Sequence, residues 1–362
     1  MGPLFPDWLR QQFEIIELDL SSSAIIDKIP DWFWQTFSLA TNIDISNSNK
    51  LSGTLPAHFS DMAFLVLNLS SNQLTGTIPQ FPRNITELDI SNNSISGPLP
   101  SIEAPQLMVL LMFSNQIGGS IPESFCTLKS LHALDLSSNA LEGKFPHCFE
   151  LQSIGFLQLN NNSLSGYFHA FFRTCTSLGF LDLGRNKFFG SLPDWIVELK
   201  SLQFLRLSHN IFSGNIPIEI TNLNNLQYLD LSSNNISGFV PWHLSNLTGM
   251  TLKGNLPLRL YPYRSGNELG YTSGLNQFKD IMLIIIKGQQ LKYDNGLEYF
   301  VSIDLSGNSL TGETLPAITS LDALINLNLS SNCLSGKIPN KEQCSHWNHS
   351  TSLRTRCLAK FQ

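Results

Sequence analysis

Apolar and polar residues along this chain follow a pattern that returns about every two dozen positions. One copy, from Leu134 to Pro146, reads Leu-Asp-Leu-Ser-Ser-Asn-Ala-Leu-Glu-Gly-Lys-Phe-Pro. From Asn139 onward the shared asparagine recurs after 23, 24, 24 and 24 residues. Two degenerate copies, with Ser23 and Asn49 in that slot, come first, and the others carry it at Asn72, Asn93, Asn115, Asn139, Asn162, Asn186, Asn210, Asn234, Asn308 and Asn332. A period this regular predicts a stack of similar turns instead of one globular core.

The paired leucines of each copy predict a short β-strand. Leu134 and Leu136 alternate with Asp135, so that the leucines point into the core while the aspartate faces solvent. Leu141 and Phe145 are expected to cover the same core from the next side of the turn. Adjacent strands should lie ~4.8 Å apart and form one long parallel sheet on a concave face.

The remaining residues of the copy predict how each turn closes. Asn139 lies where the strand ends, and its amide can satisfy backbone groups that the sheet does not reach, so stacked copies should form a buried asparagine ladder. Gly143 permits a backbone conformation closed to other residues, and Pro146 prevents a continuing helix. This pattern predicts a leucine-rich-repeat solenoid, an α/β superhelix with convex loops and 3₁₀ turns.

The period divides the chain into four parts. Residues 1–241 hold about ten repeats, residues 242–299 form an island insertion, residues 300–340 hold two more repeats, and residues 341–362 form a divergent tail or partial cap.

The island separates Asn234 from Asn308 by 74 residues without a good copy of the pattern. A disordered insertion is one interpretation. Its β-branched run and its aromatic residues favour instead a partly folded island that lies across the solenoid. Tyrosine and arginine dominate binding hot spots. We therefore expect Tyr261, Tyr263, Arg264 and Tyr271 to contact the ligand. Three residues near the end of the island either join this surface or only pin the island to the solenoid, namely Lys287, Gly288 and Tyr293.

Charge and hydropathy argue against two classes of partner. The net charge is −6, only 14% of residues are charged, and no basic run occurs, which disfavours a nucleic-acid ligand. The longest strongly apolar run, Ile281 to Ile286, has six residues. A transmembrane helix needs ~20, so the pattern predicts none.

Eight Asn-x-Ser/Thr sequons favour a secreted, glycosylated protein, at Asn68, Asn84, Asn92, Asn161, Asn235, Asn246, Asn328 and Asn348. The residues from Met1 to Arg10 lack the apolar segment of a signal peptide. The segment Gly2 to Pro6 matches the end of a repeat, with no polar cap ahead of it. We therefore expect an incomplete chain that begins in the middle of a turn.

Between the paired leucines lies a column of acidic residues expected to form a solvated recognition face. The ligand contacts predicted there are Asp135, Asp182, Arg206 and Asp230. Paired carboxylates ~5–9 Å apart also characterise glycosidases. Asn68, Leu111, Gln158 and Arg206 interrupt the column, and an open sheet face offers no deep pocket to raise the pKa of one carboxyl group. Binding is therefore favoured over catalysis, and no cofactor or metal is expected.

The cysteines leave two questions open. Cys126 and Cys148 fall on successive turns and either pair across them or stay as two buried thiols. Cys344 and Cys357 lie in the tail near His346 and His349, at a spacing that matches no common zinc module. A disulfide between Cys344 and Cys357 is favoured there.

Several motifs carry a family resemblance. They are the Leu-Ser-Gly-x-Ile-Pro consensus at Leu334 to Pro339, the passages Gly2 to Arg10 and Ile29 to Trp34, and Lys287-Gly288-x4-Tyr293 followed by Ser302 to Asn308. Together these motifs resemble plant leucine-rich-repeat receptor-like proteins, the group that includes receptors for fungal xylanase and for Cladosporium effectors. The resemblance covers roughly residues 1 to 340.

This resemblance implies the ectodomain of a cell-surface immune receptor at the plasma membrane. Such a receptor has no kinase of its own, binds a pathogen-derived or endogenous peptide or protein, and recruits a co-receptor kinase through its last repeats. A secreted inhibitor of cell-wall-degrading enzymes is the alternative, although that family typically lacks an island. A glycoside hydrolase that uses the column of aspartates is the third hypothesis.

Overall fold

The computed structural model of this chain describes residues 4–47, 50–147, 151–251, 301–313 and 316–335, with two short strands of the insertion. Its contacts divide it into two compact units, residues 1–165 and 166–362, and each is described by itself.

The Leu-x-Leu segments of the first unit form the predicted parallel sheet. Register follows the repeat, because Leu134 pairs with Leu110 on one side and with Leu157 on the other. The strands of this first sheet are Glu17–Asp19, Asn42–Asp44, Val66–Asn68, Glu87–Asp89, Val109–Leu111, Ala133–Asp135 and Phe156–Gln158.

Every described turn after the first contributes a second strand, which the pattern of paired leucines did not predict. The second sheet of the first unit is also parallel, and its strands are Ser52–Thr54, Gln73–Thr77, Ser94–Pro98, Gln116–Gly119, Ala140–Gly143 and Ser163–Gly166. These segments end at or near a glycine and resemble turns in the sequence. Gly143 has φ +84°, as its place in the pattern predicts, and the backbone before it still pairs with equivalent segments of its neighbours.

The second unit repeats both sheets. The Leu-x-Leu strands are Phe180–Asp182, Phe204–Arg206, Tyr228–Asp230, Ser302–Asp304 and Asn326–Asn328. The strands of the second sheet are Lys187–Gly190, Ile211–Asn215, Asn235–Phe239, Ser309–Glu313 and Cys333–Ser335. Leu229 pairs directly with Ile303, so the insertion interrupts the chain without interrupting the stack.

The rest of each turn is short and contains little helix, as predicted. Five of the described 3₁₀ helices have five residues and directly follow a proline, because proline starts a helix well and the next strand begins too soon to extend it. The helical segments are Asp7–Gln11, Glu123–Thr127, Ala170–Thr174, Asp194–Glu198, Ile218–Asn222, Trp242–Asn246, Thr248–Met250 and Pro316–Ser320, with one α-helical turn at Phe33–Thr36.

The predicted asparagine ladder is present. Asn139 Oδ1 accepts from the Ile117 amide of the preceding turn at 3.0 Å, and its Nδ2 donates to the carbonyls of Met112 and Leu136 at 2.9 and 3.1 Å. The ladder therefore joins each asparagine to backbone of its own turn and of the one before. The same three kinds of bond occur at Asn93, Asn115, Asn162, Asn210, Asn234, Asn308 and Asn332.

The boundary of the first block of repeats at residue 241 stays a prediction, and buried residues also occur just after it. Leu244, Leu247 and Met250 are buried in the turn that contains Trp242–Asn246. Within the insertion, Leu283–Ile286 and Gln289–Lys292 form an antiparallel pair. The placement of the island across the solenoid lies outside the described residues.

Candidate functional site

The outward side chains of the Leu-x-Leu strands form one surface in each unit, which we name the first-sheet face. Parallel pairing aligns the third residue of each strand, so that in the second unit Asp182 stands beside Arg206, Arg206 beside Asp230, and Asp230 beside Asp304. Residues some two dozen positions apart in sequence therefore become neighbours in a row.

The aspartates of this row also hold the chain at the end of their strands. In each case the carboxylate accepts from the backbone amide two residues later, at 2.8 Å for Asp135, 2.8 Å for Asp182 and 3.0 Å for Asp230. This is an Asx turn, in which a side chain replaces a backbone partner. One carboxylate oxygen of each aspartate is thus occupied by the fold, and the recurring Asp-x-Ser signal was available in the sequence.

Arg206 binds two of the row's carboxylates. Its Nη1 lies 3.2 Å from Asp182 Oδ2 and its Nε lies 3.5 Å from Asp230 Oδ2. Its Nε also donates to the Ser208 hydroxyl at 3.1 Å, whereas Nη2 is buried without a hydrogen-bond partner. The structure therefore brings three of the predicted contact residues together as one ionic network.

This network is buried, which contradicts the prediction of a solvated face. Asp182 and Arg206 are each 2% exposed, and Asp230 is also buried. Asp135, in the first unit, is 5% exposed between Leu111 and Gln158 of the neighbouring strands. The close spacing of strands brings the outward side chains against one another, so alternation along a strand did not establish exposure.

Burial dominates the electrostatics of the network. It raises the pKa of Asp230 to about 6, although the Arg206 charge and the hydroxyls of Ser232 and Ser208 act in the opposite direction. Burial also raises the pKa of Asp182 against the effect of Arg206. For Arg206 itself burial lowers the pKa, but the two carboxylates outweigh it and the net pKa is raised. The guanidinium therefore stays charged.

An aromatic row runs beside the ionic one. Phe180, Phe204 and Tyr228 are the first residues of three adjacent strands, and their rings stack with centroids 4.1 and 4.2 Å apart and interplanar angles of 13° and 6°. Each such pair contributes ~0.5–1.5 kcal/mol beyond its buried area. The sequence reasoning missed this row, although its members recur every 24 residues.

In the first unit the row is acidic and partly accessible. Asn68 Nδ2 donates to Asp44 Oδ2 at 3.0 Å. Burial raises the pKa of Asp89 to about 6, with a smaller contribution from the Asp44 charge. Asp44 and Asp89 are half-buried and Asp19 is exposed.

Two basic residues lie at the exposed edge of the row in the second unit. Arg185 and His209 each precede a ladder asparagine, have φ of +53° and +54°, and are exposed. Partial burial lowers the pKa of His209, and the charges of Arg185 and Arg206 add to this. The positive charge at this accessible edge therefore comes from Arg185, with His209 beside it mainly neutral at neutral pH, while Asp304 and Asn328 further along are half-buried.

Several predicted residues lie outside the described residues. They are Tyr261, Tyr263, Arg264, Tyr271, Lys287, Gly288, Tyr293, Cys148, Cys344, Cys357 and Asn348.

The described cysteines differ in state. Cys126 is disulfide-bonded, which excludes the alternative of a free thiol, and its pairing with Cys148 stays a prediction. Cys175 is buried, and its thiol donates to the Phe171 carbonyl at 3.6 Å, whereas Cys333 is an exposed thiol.

Metal-holding clusters and membrane-spanning helices are both absent from the described part of the chain. No group of three His, Cys, Asp or Glu side chains there is placed to hold a metal ion. No helix among those residues has the length and apolar character to cross a membrane.

Family models for leucine-rich repeats match most of the regular turns. One model covers residues 152–212. A shorter one matches residues 64–85, 84–103, 106–128, 130–151, 225–247 and 300–321.

Several known proteins that this chain resembles are plant receptors or receptor-like proteins. It is 34% identical over 146 residues to Receptor-like protein 7 of Arabidopsis thaliana, an alignment that covers 40% of this chain and 13% of that protein. The PEPR1–AtPEP1 structure matches with a TM-score of 0.72 and 27% identity over 91% of this chain and 40% of that one. The Arabidopsis receptor kinase HAESA, in complex with the peptide hormone IDA and the co-receptor SERK1, matches with a TM-score of 0.69 and 25% identity over 93% and 53%.

The repeat pattern, the two parallel sheets and these matches define a plant-type leucine-rich-repeat solenoid. The chain belongs to the leucine-rich-repeat proteins. It is similar to plant receptor-like proteins, and it spans 13% of the length of Receptor-like protein 7.

Proposed function

We propose that this chain is a ligand-recognition ectodomain of a plant cell-surface receptor, and that it binds a peptide or protein without catalysing a reaction. The observation that carries the proposal is the register of the first-sheet face, which aligns Asp182, Arg206, Asp230, Asp304 and Asn328 in one row. A row of side chains at the strand spacing of ~4.8 Å suits an extended ligand with a residue for each turn or two.

The accessible end of that row determines where contact begins. Arg185 and His209 are exposed and Asp304 is half-buried, whereas Asp182, Arg206 and Asp230 are enclosed. The buried charges act as a rigid support, and the exposed basic pair is the part that a ligand touches first. An acidic or carboxylate-bearing segment fits this edge by charge.

The named complexes of similar proteins support a peptide ligand and a second receptor chain. HAESA is described with a peptide hormone and a co-receptor. By that similarity, the repeats in residues 300–340 bind a co-receptor kinase. We also propose a position on the outer side of the plasma membrane and a role in pathogen perception and defence signalling, as the similarity to receptor-like proteins implies.

A hydrolase is not favoured by the geometry. Asp182 and Asp230 share the Arg206 guanidinium, and each also accepts a backbone amide that ends its strand. A glycosidase instead needs one carboxyl group to protonate the leaving oxygen and another to face the sugar. Turnover of plant or fungal glycans that is lost in Asp182→Asn would revive the hydrolase hypothesis.

The proposal is tested by capture of ligands. The immobilised chain is incubated with peptides from plant extracellular fluid or fungal culture filtrate, and bound peptides are identified by mass spectrometry. The dissociation constant of a recovered synthetic peptide is then measured for the wild type and for Arg185→Asn/His209→Asn, since asparagine tolerates the left-handed backbone there. We expect at least tenfold weaker binding, a loss of ~1.4 kcal/mol. Lys200→Ala, an exposed change near a 3₁₀ helix, is the control.

The island is tested separately. We expect deletion of residues 260–290 to leave the thermal unfolding of the repeats unchanged and to abolish capture. Equal affinity in the deletion variant would remove the island from the binding surface.

A further inference from the structure

Seven of the sequons fall on described residues, and the structure separates them by what holds the asparagine side chain. A glycan is bulky and lies at a protein's surface. Its attachment consumes a hydrogen of Nδ2, so an amide already bonded inside the fold is not compatible with a sugar. The two criteria are therefore the exposure of each asparagine and the hydrogen bonds that its Nδ2 already makes.

Asn68 and Asn328 have equivalent positions in the two units, and the side-chain amide of each is already hydrogen-bonded. Nδ2 of each donates to the aspartate one turn earlier, at 3.0 Å for Asp44 and 3.0 Å for Asp304. Oδ1 of Asn68 accepts from the backbone amide and the hydroxyl of Ser70 at 3.1 and 2.8 Å. Ser330 serves Asn328 in the same way at 3.2 and 2.8 Å.

These two sequons are by-products of the Asx turn. Elsewhere in the row the same turn reads Asp-Leu-Ser, as at Asp135, Asp230 and Asp304. An asparagine in the aspartate's place creates Asn-Leu-Ser without any change in the turn, and the serine of the sequon is the turn's own donor. Asn68 is 3% exposed and Asn328 half-buried, so a sugar would disrupt three hydrogen bonds of Asn68 and four of Asn328.

Three other sequons lie away from the first-sheet face. Asn246 is the exposed last residue of the 3₁₀ helix Trp242–Asn246, and Asn235 is the exposed first residue of a second-sheet strand. Asn84 is exposed in the turn ahead of Glu87–Asp89, where its amide makes only a long 3.5 Å contact with a carbonyl. Asn92 and Asn161 lie at the left-handed turn position, 3.4 and 3.3 Å from serine hydroxyls, and belong to neither class.

We propose that the folded, secreted protein carries N-glycans on Asn84, Asn235 and Asn246, and that Asn68 and Asn328 carry none. The first-sheet strands are then free of sugar, and the glycans lie on the second sheet and on the outer turns. This assignment rests on the extracellular location proposed above, since only a chain that enters the secretory pathway meets the glycan-transferring enzyme. It does not depend on the identity of any ligand.

The test measures occupancy at each site. The full chain is secreted from plant cells behind a signal peptide, the folded monomer is isolated, and glycans are removed enzymatically in ¹⁸O water before peptide mass spectrometry. We expect ¹⁸O-labelled aspartate in most molecules at residues 84, 235 and 246 and no detectable label at 68 and 328. A label at 68 or 328 in the folded monomer, or unlabelled sites at 84, 235 and 246, would overturn the assignment.

A variant separates exclusion by the fold from poor recognition of the sequon. The double variant Asp304→Ala/Ser306→Ala leaves the sequon at Asn328 intact and removes both side chains that accept from its amide. We expect label at residue 328 in the secreted double variant, with Asp322→Ala as a control that leaves both acceptors in place. An unlabelled Asn328 in Asp304→Ala/Ser306→Ala would show that the network is not the cause. Occupancy is read without ligand, so its failure and the failure of ligand capture are distinct results.

Discussion

The guanidinium of Arg206 lies 3.2 Å from the carboxylate of Asp182 with both side chains 2% exposed. Each residue comes from a separate repeat, and each is enclosed in a face that alternation alone would place in water. Burial removes water from both charged groups, and the opposite charge of the partner offsets the cost of that desolvation.

Removal of the guanidinium should therefore be costly. We expect Arg206→Met to lower the free energy of unfolding by about 3–5 kcal/mol, because Asp182 and Asp230 keep their burial and lose their counter-charge. Urea denaturation measures the difference. The matched control is Arg173→Met, which breaks the exposed 2.7 Å pair with Glu198. Equal effects in the two variants would contradict a special cost of burial.

Asp89 should make stability depend on pH. Its pKa of about 6 in the fold exceeds the ordinary 3.8, so the folded state binds the proton more tightly than the unfolded one. Its favourable contribution is present below pH ~4 and is lost as pH rises through about 6, on the order of 3 kcal/mol in all. Asp89→Asn should flatten this part of the curve.

Unglycosylated protein is needed for that measurement, because Asp89→Asn creates an Asn-Ile-Ser sequon. Asp194→Asn, at an exposed position, is the control. A free energy of unfolding that falls between pH 4 and 6 by the same amount in Asp89→Asn as in Asp194→Asn and the wild type would count against the assignment to Asp89.

Removal of one asparagine side chain from the ladder should lower the free energy of unfolding by more than the small size of that side chain suggests. Asn139→Ala leaves the Ile117 amide and the Met112 carbonyl without their partner. Buried groups left unsatisfied cost ~1–3 kcal/mol each, so we expect a loss of about 3 kcal/mol and faster hydrogen exchange at Ile117. Asn222→Ala, exposed in a 3₁₀ helix, should change neither. Unaltered exchange at Ile117 would mean that the amide has another acceptor.

Two glycines of the second sheet test how much stability is lost when an added methyl group comes too close to a side chain of the neighbouring turn. A Cβ on Gly190 would lie 2.6 Å from the Tyr167 ring, whereas one on Gly143 would meet nothing nearer than Ser120 Cβ at 3.5 Å, and the two glycines have φ of +85° and +84°. Gly190→Ala should therefore cost ~1–3 kcal/mol more than Gly143→Ala. Tyr167→Ala in the same chain should recover that excess. Equal losses of stability in Gly190→Ala and Gly143→Ala would mean that the backbone strain shared by both positions explains the loss and that the contact with Tyr167 does not.

The sequence anticipated the elements that lie within one turn. Leu134, Leu136 and Leu141 are fully buried, and Asn139 and Gly143 perform the predicted roles. It did not anticipate the second sheet, because Ala140–Gly143 has the composition of a turn and pairs only through its neighbours. It also mistook a buried ionic row for a solvated one.

By itself, then, the sequence determined the winding of this protein, because alternating leucines, ladder asparagines and left-handed glycines are local signals that every repeat restates. Only the tertiary structure decided which charged side chains meet and which are shielded from water. Those facts depend on the register between strands that lie two dozen residues apart, and on the crowding of a face that no single repeat contains.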